Sequence, residues 1–114
     1  MRRGGRGEGM AMGAAAPEDP GASDVAVATV AFGGDLDLIV APAITRRLLR
    51  AANGVSVVQM DLGAVTFFDS SAVHATLDAY RSLGQMGVRL VVTNPPPLVC
   101  RVLEITGALD LLTG

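Results

Sequence analysis

The sequence alternates between two hydrophobic periods, and this alternation constrains the fold more than any other feature. Apolar runs rich in β-branched residues, typical of strands, occupy 25–32, 55–60 and 88–93. Apolar residues at the spacing of amphipathic helices occupy 39–54, 70–85 and 98–106. The order strand, helix, strand, helix, strand, helix predicts an α/β fold with a mostly parallel central sheet and crossover helices packed against it.

Glycine and proline positions predict where these elements begin and end. The turn signal Gly33-Gly34-Asp35 should close the first strand, and a short strand is expected around residues 35–38. Pro42 suits the first turn of the first helix. Gly87 and Gly107 are expected to end the second and third helices.

The first 23 residues differ in composition from the rest of the chain. They are rich in Gly, Ala and Pro and contain no large aliphatic residue except methionine, so we expect residues 1–23 to form a disordered tail. Residues 24–114 then form the only folded domain. The total of 114 residues, 50% of them hydrophobic, is sufficient for a single compact core.

Composition also argues against several classes of function. No window contains the ~18 uninterrupted apolar residues of a membrane span. The chain has no lysine and a net charge of −2, so direct nucleic-acid binding is not expected. Cys100 is the single cysteine and cannot form an internal disulfide, which indicates a reducing compartment and hence the cytoplasm. Arg46, Arg47 and Arg50 cluster on the first helix, either as its solvated face or as a docking surface for a partner.

The segment Asp69-Ser70-Ser71 lies between the second strand and the second helix. Asp69 or Ser70 is a natural N-cap for that helix. A cap needs only one side-chain oxygen, and three consecutive residues here could supply it. Because functional loops of parallel sheets usually follow the carboxyl ends of strands, the cluster is also a candidate site.

Catalysis by these serines has little support in the sequence. There is no Gly-x-Ser-x-Gly elbow, and His74 is the only histidine that could serve as a base, with no third group to orient it. No phosphate-binding Gly-rich loop with a lysine and no His/Cys pair with metal-ligand spacing occurs. We therefore expect a protein that is not an enzyme and that uses no metal or cofactor.

Phosphorylation fits the cluster better. A phosphoserine adds about −1.5 to −2 charges, which a helix N-terminus accommodates without unfolding the domain. A docked partner presenting carboxylates would instead be repelled, with one like-charge pair at ~4 Å contributing roughly 4 kcal/mol at an effective dielectric near 20. The cluster therefore has the chemistry of a binding switch.

From residue 25 to 112 the sequence resembles the STAS domain of bacterial anti-sigma-factor antagonists. The resemblance is carried by "GDLD" at 34–37, "APAI" at 41–44, the pattern "DL..V.F.DSS" at 61–71 and "RVLEITG" at 101–107. It implies a single STAS-like domain that binds an anti-sigma factor, typically a serine kinase, and so releases a sigma factor for transcription, as in stress responses. The kinase phosphorylates the antagonist to dismiss it, and a serine phosphatase restores it.

The same resemblance assigns roles to residues of this chain. The phosphoacceptor falls on Ser71, with Ser70 as the alternative. The partner-binding residues that it implies are Gly34, Asp35, Asp37, Asp69, Ser70, Ala72 and His74. The main alternative function is a STAS scaffold, or an accessory subunit of a transporter or signalling complex, in which the serines serve only as a cap. A small nucleotide-binding domain is a weaker alternative.

Two features depart from the family pattern. Ala72 follows the second serine where the family usually has glycine, and its Cβ is expected to crowd a closely approaching partner backbone. The sequence stops at Gly114, where relatives commonly continue. From this we expect an uncovered edge or groove, with either lower stability or self-association as the result.

Overall fold

The computed structural model describes residues 26–113 of the chain. The expected tail at residues 1–23 lies outside the described residues, and the domain boundary at residue 24 therefore stays a prediction. The described elements are β1 (Val27–Leu36), α1 (Ala41–Arg50), β2 (Val57–Phe68), α2 (Ser70–Gln85), β3 (Arg89–Thr93), α3 (Pro97–Ile105) and α4 (Leu109–Thr113).

The three strands form one sheet in the order β1-β2-β3, and both strand pairs are parallel. This confirms the predicted α/β fold. The helix α1 connects β1 to β2 and α2 connects β2 to β3, and the two crossover helices pack against each other. Since all three strands run in one direction, the segments that follow β1 and β2 emerge at the same edge of the sheet.

The core lies between the sheet and the helices. Alternate residues Val58, Met60 and Leu62 of β2 are fully buried, as expected for the central strand. Leu48 of α1 and Leu83 of α2 are also fully buried. Full burial of an aliphatic side chain of this size contributes about 1.5–3 kcal/mol, so these side chains hold the two crossover helices against the sheet.

The first strand differs from the sequence prediction. The pair Gly33-Gly34 does not form a turn, because β1 continues through it to Leu36 and no separate short strand forms at residues 35–38. Pairing with β2 shifts register between Ala31 and Gly33 and again between Gly34 and Asp35. Gly34 adopts φ +72°, a conformation that favours glycine, so the two glycines accommodate irregular pairing within one strand.

The second strand is longer than predicted. Residues 55–60 were expected to form it, but β2 runs from Val57 to Phe68, whereas its pairing with β3 ends at Asp61 opposite Thr93. The carboxylate of Asp61 accepts hydrogen bonds from the amide of Gly63 at 2.9 Å and from Asn94 Nδ2 at 3.2 Å. This cluster connects the end of β3 to the middle of β2, and β2 continues beyond it paired with β1 alone.

The helix ends agree with the predicted stop signals, and one further helix follows. Gly87 and Gly107 have φ values of +76° and +77°, as glycines that follow helices commonly do. Beyond Gly107 the chain forms the short helix α4, which the sequence reading did not predict. Its Leu112 is fully buried, so α4 adds to the core.

The three arginines of α1 are all exposed, which agrees with a solvated helix face. Arg47 also contacts β1. Its Nη2 donates a hydrogen bond to the carbonyl oxygen of Ala31 at 3.0 Å, and its guanidinium carbon lies 4.3 Å from the centre of the Phe32 ring.

Candidate functional site

The candidate site lies where the carboxyl ends of β1 and β2 meet. The backbone amide of Asp69 donates a hydrogen bond to the carbonyl oxygen of Leu36 at 3.2 Å. This bond joins the end of β1 to the start of α2. The Gly34 to Asp37 segment and the Asp69-Ser70-Ser71 segment, 32 or more residues apart in sequence, are thereby brought to one surface.

Asp69 is the N-cap of α2, which is one of the two alternatives that the sequence predicted, the other being Ser70. Its backbone is extended, with φ −103° and ψ −176°, and its carboxylate accepts a hydrogen bond from the amide of Ala72 at 3.0 Å. Its carbonyl oxygen accepts from the amide of Val73 at 3.1 Å. Because one aspartate performs this structural role, neither serine is needed as the cap.

The two serines differ in exposure. Ser70 is exposed, whereas Ser71 is partly buried. Within residues 26–113, neither hydroxyl takes part in a hydrogen bond with another protein group. Both hydroxyls are thus free to react or to contact another molecule without breaking a bond that stabilises the fold.

Ser71 opens into a groove of about 340 Å³ between α1 and α2. The residues that line it are Leu38, Ala41, Pro42, Thr45, Ser71, His74, Ala75 and Asp78. His74 is exposed, one turn of helix beyond Ser71. Asp78, one further turn along, bonds through its carboxylate to Arg81 at 3.1 Å.

The turn between β1 and α1 is shaped by its aspartates. Asp37 accepts hydrogen bonds through Oδ1 from the amides of Ile39 at 3.1 Å and Val40 at 3.3 Å, which holds the chain as it enters α1. Asp35 accepts from the Thr66 hydroxyl at 3.0 Å and is tied to β2. Both carboxylates therefore have structural partners, and any contact with another protein would add to these bonds.

Ala72 occupies a different environment from its neighbours. It is fully buried, with 0% of its surface exposed. Its methyl group is part of the core and does not project from the helix start. Ala72 is therefore not part of the exposed surface of the site, and its Cβ does not crowd a partner in this conformation.

Three large apolar side chains near the site were missed by the sequence reading. Leu38 is 72% exposed, Ile39 is 85% exposed and Phe67 is 49% exposed. Leu38 and Ile39 follow Asp37 directly, and Phe67 lies two residues before Asp69. We call these three residues the apolar rim. The signal available in the sequence was a pair of aliphatic residues between a turn aspartate and a helix start.

Neither a metal-binding cluster nor a membrane-spanning helix is found within the described residues. Within residues 26–113 no group of three or more His, Cys, Asp and Glu side chains is placed to hold a metal ion. None of the helices in this part of the chain is long and apolar enough to cross a membrane.

Comparison with known families identifies the domain. The model of the STAS domain matches residues 16–113. The chain belongs to the STAS domain family. The resemblance noted in the motifs around Asp61 to Ser71 is thereby confirmed.

Solved STAS structures share the fold. The anti-sigma factor antagonist SpoIIAA in its unphosphorylated form is 24% identical, with a TM-score of 0.65, over 74% of this chain and 75% of that chain. An anti-sigma factor antagonist from Mycobacterium paratuberculosis is 25% identical, with a TM-score of 0.63, over 75% of this chain and 74% of that one. The three parallel strands and four helices described above match this fold.

Transporter-related STAS domains share it as well. A sulfate transporter family protein from Wolinella succinogenes is 20% identical, with a TM-score of 0.67, over 83% of this chain and 82% of that chain. Sulfate transporter 1.2 of Arabidopsis thaliana is 36% identical over 53 residues, which is 46% of this chain. The chain spans only 8% of that transporter's length.

Proposed function

We propose that this STAS domain is an anti-sigma-factor antagonist, which binds an anti-sigma serine kinase and is switched off by phosphorylation at Ser71. Ser70 is the alternative acceptor. Through this binding the protein would regulate sigma-factor-dependent transcription. The protein itself performs no catalytic step in this proposal, because the kinase transfers the phosphate and a serine phosphatase removes it.

One observation carries the proposal: Asp69 caps α2, which leaves two serine hydroxyls without a hydrogen-bond partner among residues 26–113. A serine kept only as a cap would direct its oxygen to the helix amides, as Asp69 does toward Ala72. Neither Ser70 nor Ser71 does this within the described residues. Their hydroxyls are available for modification in the folded domain.

The apolar rim supplies the affinity that such a switch needs. Leu38 lines the groove and is largely exposed, Ile39 follows it directly and is also largely exposed, and Phe67 is half exposed two residues before Asp69. Exposed apolar side chains grouped at one site are typical of a protein interaction surface. A kinase docked on the apolar rim would have Ser71 within its contact area.

Phosphorylation would then oppose this contact electrostatically. A phosphate on Ser71 places about −1.5 to −2 charges beside the carboxylate of Asp69. Within residues 26–113 the Ser71 hydroxyl makes no hydrogen bond, so phosphorylation breaks none, and the added charge repels a partner that presents carboxylates to this surface. Similar structures include SpoIIAA of Bacillus in its phosphorylated form, with a TM-score of 0.60, which supports compatibility of this fold with phosphate.

The proposal is tested on protein isolated from its native cells during growth and under stress. Trypsin releases the peptide from Ala51 to Arg81, which contains both serines, and fragmentation in a mass spectrometer locates any phosphate. We expect phosphate on Ser71 with an occupancy that differs between conditions. A peptide that is unmodified in every condition would contradict the proposal.

A second candidate function is a STAS scaffold or an accessory subunit of a transporter or signalling complex. The 36% identity over 53 residues with Sulfate transporter 1.2 favours it. Purification of the tagged protein from native cells separates the candidates. Co-purification of the unmodified protein with membrane transporter subunits supports the scaffold, and co-purification with a serine kinase supports the antagonist. We propose the cytoplasm as the compartment in the antagonist case.

A further inference from the structure

His74 and Ser71 share one groove on the surface of α2. They are three positions apart on the helix, a spacing that places Cβ atoms about 5–6 Å from each other. Both line the groove between α1 and α2. The imidazole of His74 makes no hydrogen bond or ion pair with another group of residues 26–113.

The charges around this pair are asymmetric. Among the residues that line the groove, His74 is the one that can carry a positive charge. From α1 the groove receives Ala41, Pro42 and Thr45, none of which titrates, and Leu38 precedes that helix. From α2 the negative groups are Asp78, already bonded to Arg81, and Asp69 at the cap.

We propose that His74 is the residue that pairs with the phosphate once Ser71 is phosphorylated. This inference rests on the proposed modification of Ser71 and adds a regulatory role for a neighbouring side chain. The phosphate oxygens extend beyond the serine hydroxyl and bring the acceptor within reach of an imidazole one turn away. An imidazolium there forms a charge-assisted hydrogen bond with the phosphate.

The pair modifies the charge that a docked partner meets. A phosphoserine loses its second proton near pH 6. A positive charge beside the phosphate favours its doubly charged form, so an imidazolium at His74 shifts the midpoint of that proton loss to lower pH. The same positive charge offsets part of the negative charge that repels the partner.

The test uses the whole chain with phosphoserine installed at position 71 during translation, so that no kinase is required. The titration of the phosphate is followed by phosphorus NMR in the wild type and in His74→Gln. A nearby positive charge stabilises the dianion, so we expect the phosphate midpoint of the wild type to lie about 0.5 unit below that of His74→Gln. His74→Asn provides a second neutral side chain and should behave like His74→Gln.

Arg50→Gln is the matched control. Arg50 is an exposed cation at the end of α1, about 7.5 Å along the helix from Thr45 of the groove, and it lines a separate hollow beside β1. Its removal should leave the midpoint at the wild-type value. Equal midpoints in the wild type and both His74 variants would overturn the inference. Since the phosphate is installed directly, that result would leave the proposed antagonist function untouched, whereas the absence of phosphate in native cells would contradict the function itself.

Discussion

The amide of Asp69 donates a hydrogen bond to the carbonyl of Leu36 at 3.2 Å, and this bond joins the two segments of the candidate site. The backbone holds the end of β1 and the start of α2 together without any contribution from the serine side chains. A change at Ser71 should therefore alter what the surface binds while leaving the domain folded. This separation between fold and surface chemistry makes the proposed switch testable by substitution.

Substitution of Ser71 should change binding without unfolding the protein. Ser71→Ala removes the acceptor, and we expect it to bind the kinase as the unmodified protein does and to be constitutively active. Ser71→Asp adds one negative charge beside Asp69, and we expect it to fold but to bind at least about tenfold more weakly. Calorimetry with the kinase that co-purifies from native cells measures the affinity of both variants.

The paired control uses the neighbouring serine. Ser70→Ala and Ser70→Asp change the same chemistry one residue away, outside the lining of the groove. If Ser71 is the acceptor, Ser70→Ala should still be phosphorylated by the kinase and Ser71→Ala should not. Equal binding by Ser71→Ala and Ser71→Asp would show that the cluster is not a switch.

The cap of α2 should be sensitive to the loss of one oxygen. Asp69→Ala removes the acceptor for the amide of Ala72, and we expect it to lower the free energy of unfolding by about 1 kcal/mol. Asp69→Asn retains a capping oxygen and should lose less of the free energy of unfolding. Urea denaturation measures the stability of both variants. Ser70→Ala serves as the reference because the Ser70 hydroxyl makes no such bond within residues 26–113. An equal loss for Asp69→Ala and Ser70→Ala would argue against Asp69 as the cap.

Much of the fold could be predicted because helical periodicity is a local property. The apolar spacing of α2 and the stop at Gly87 identified that helix from its sequence alone. The course of β1 through Gly33-Gly34 could not be identified in this way. Two glycines before an aspartate indicate a turn, but parallel pairing with β2 on both sides of the register shifts keeps the segment extended.

The site could be predicted in part. A cap at Asp69 or Ser70 followed from their position before a helical period, and the motif around them predicts a phosphorylation site at the same segment. The exposure of Leu38 and Ile39 depends on how the turn after Asp37 directs the chain, which hydrophobic spacing does not report. The burial of Ala72 likewise depends on how α2 is rotated against the sheet.

The apolar rim should be required for binding and not for stability. Leu38→Ser and Ile39→Ser change side chains that are 72% and 85% exposed, so we expect the free energy of unfolding to change by less than about 0.5 kcal/mol. Binding to the co-purifying kinase should weaken at least about tenfold if these side chains are buried in the complex. Ile105→Ser, 78% exposed on α3, is the control and should bind normally. Normal binding by both rim variants would show that the apolar rim is not part of the interface with the kinase.

The cluster of Asp61, Gly63 and Asn94 should contribute stability that depends on pH. The amide of Gly63, and then the side-chain amide of Asn94, hold the pKa of the Asp61 carboxyl below its usual range. A carboxyl with a lowered pKa in the folded state stabilises the fold above its unfolded pKa of about 3.9, and this stabilisation is lost as the pH falls through the lowered folded value.

Asp61→Asn isolates this effect because it keeps the shape of the side chain without its charge. We expect the urea midpoint of the wild type to exceed that of Asp61→Asn at about pH 7 and pH 5, and the difference to shrink by about pH 3 and below. Glu104→Gln removes a carboxylate whose side chain makes no hydrogen bond within residues 26–113, and the difference between it and the wild type should vary less with pH. A difference between the wild type and Asp61→Asn that stays constant across this range would mean that ionisation of the Asp61 carboxyl does not contribute to stability.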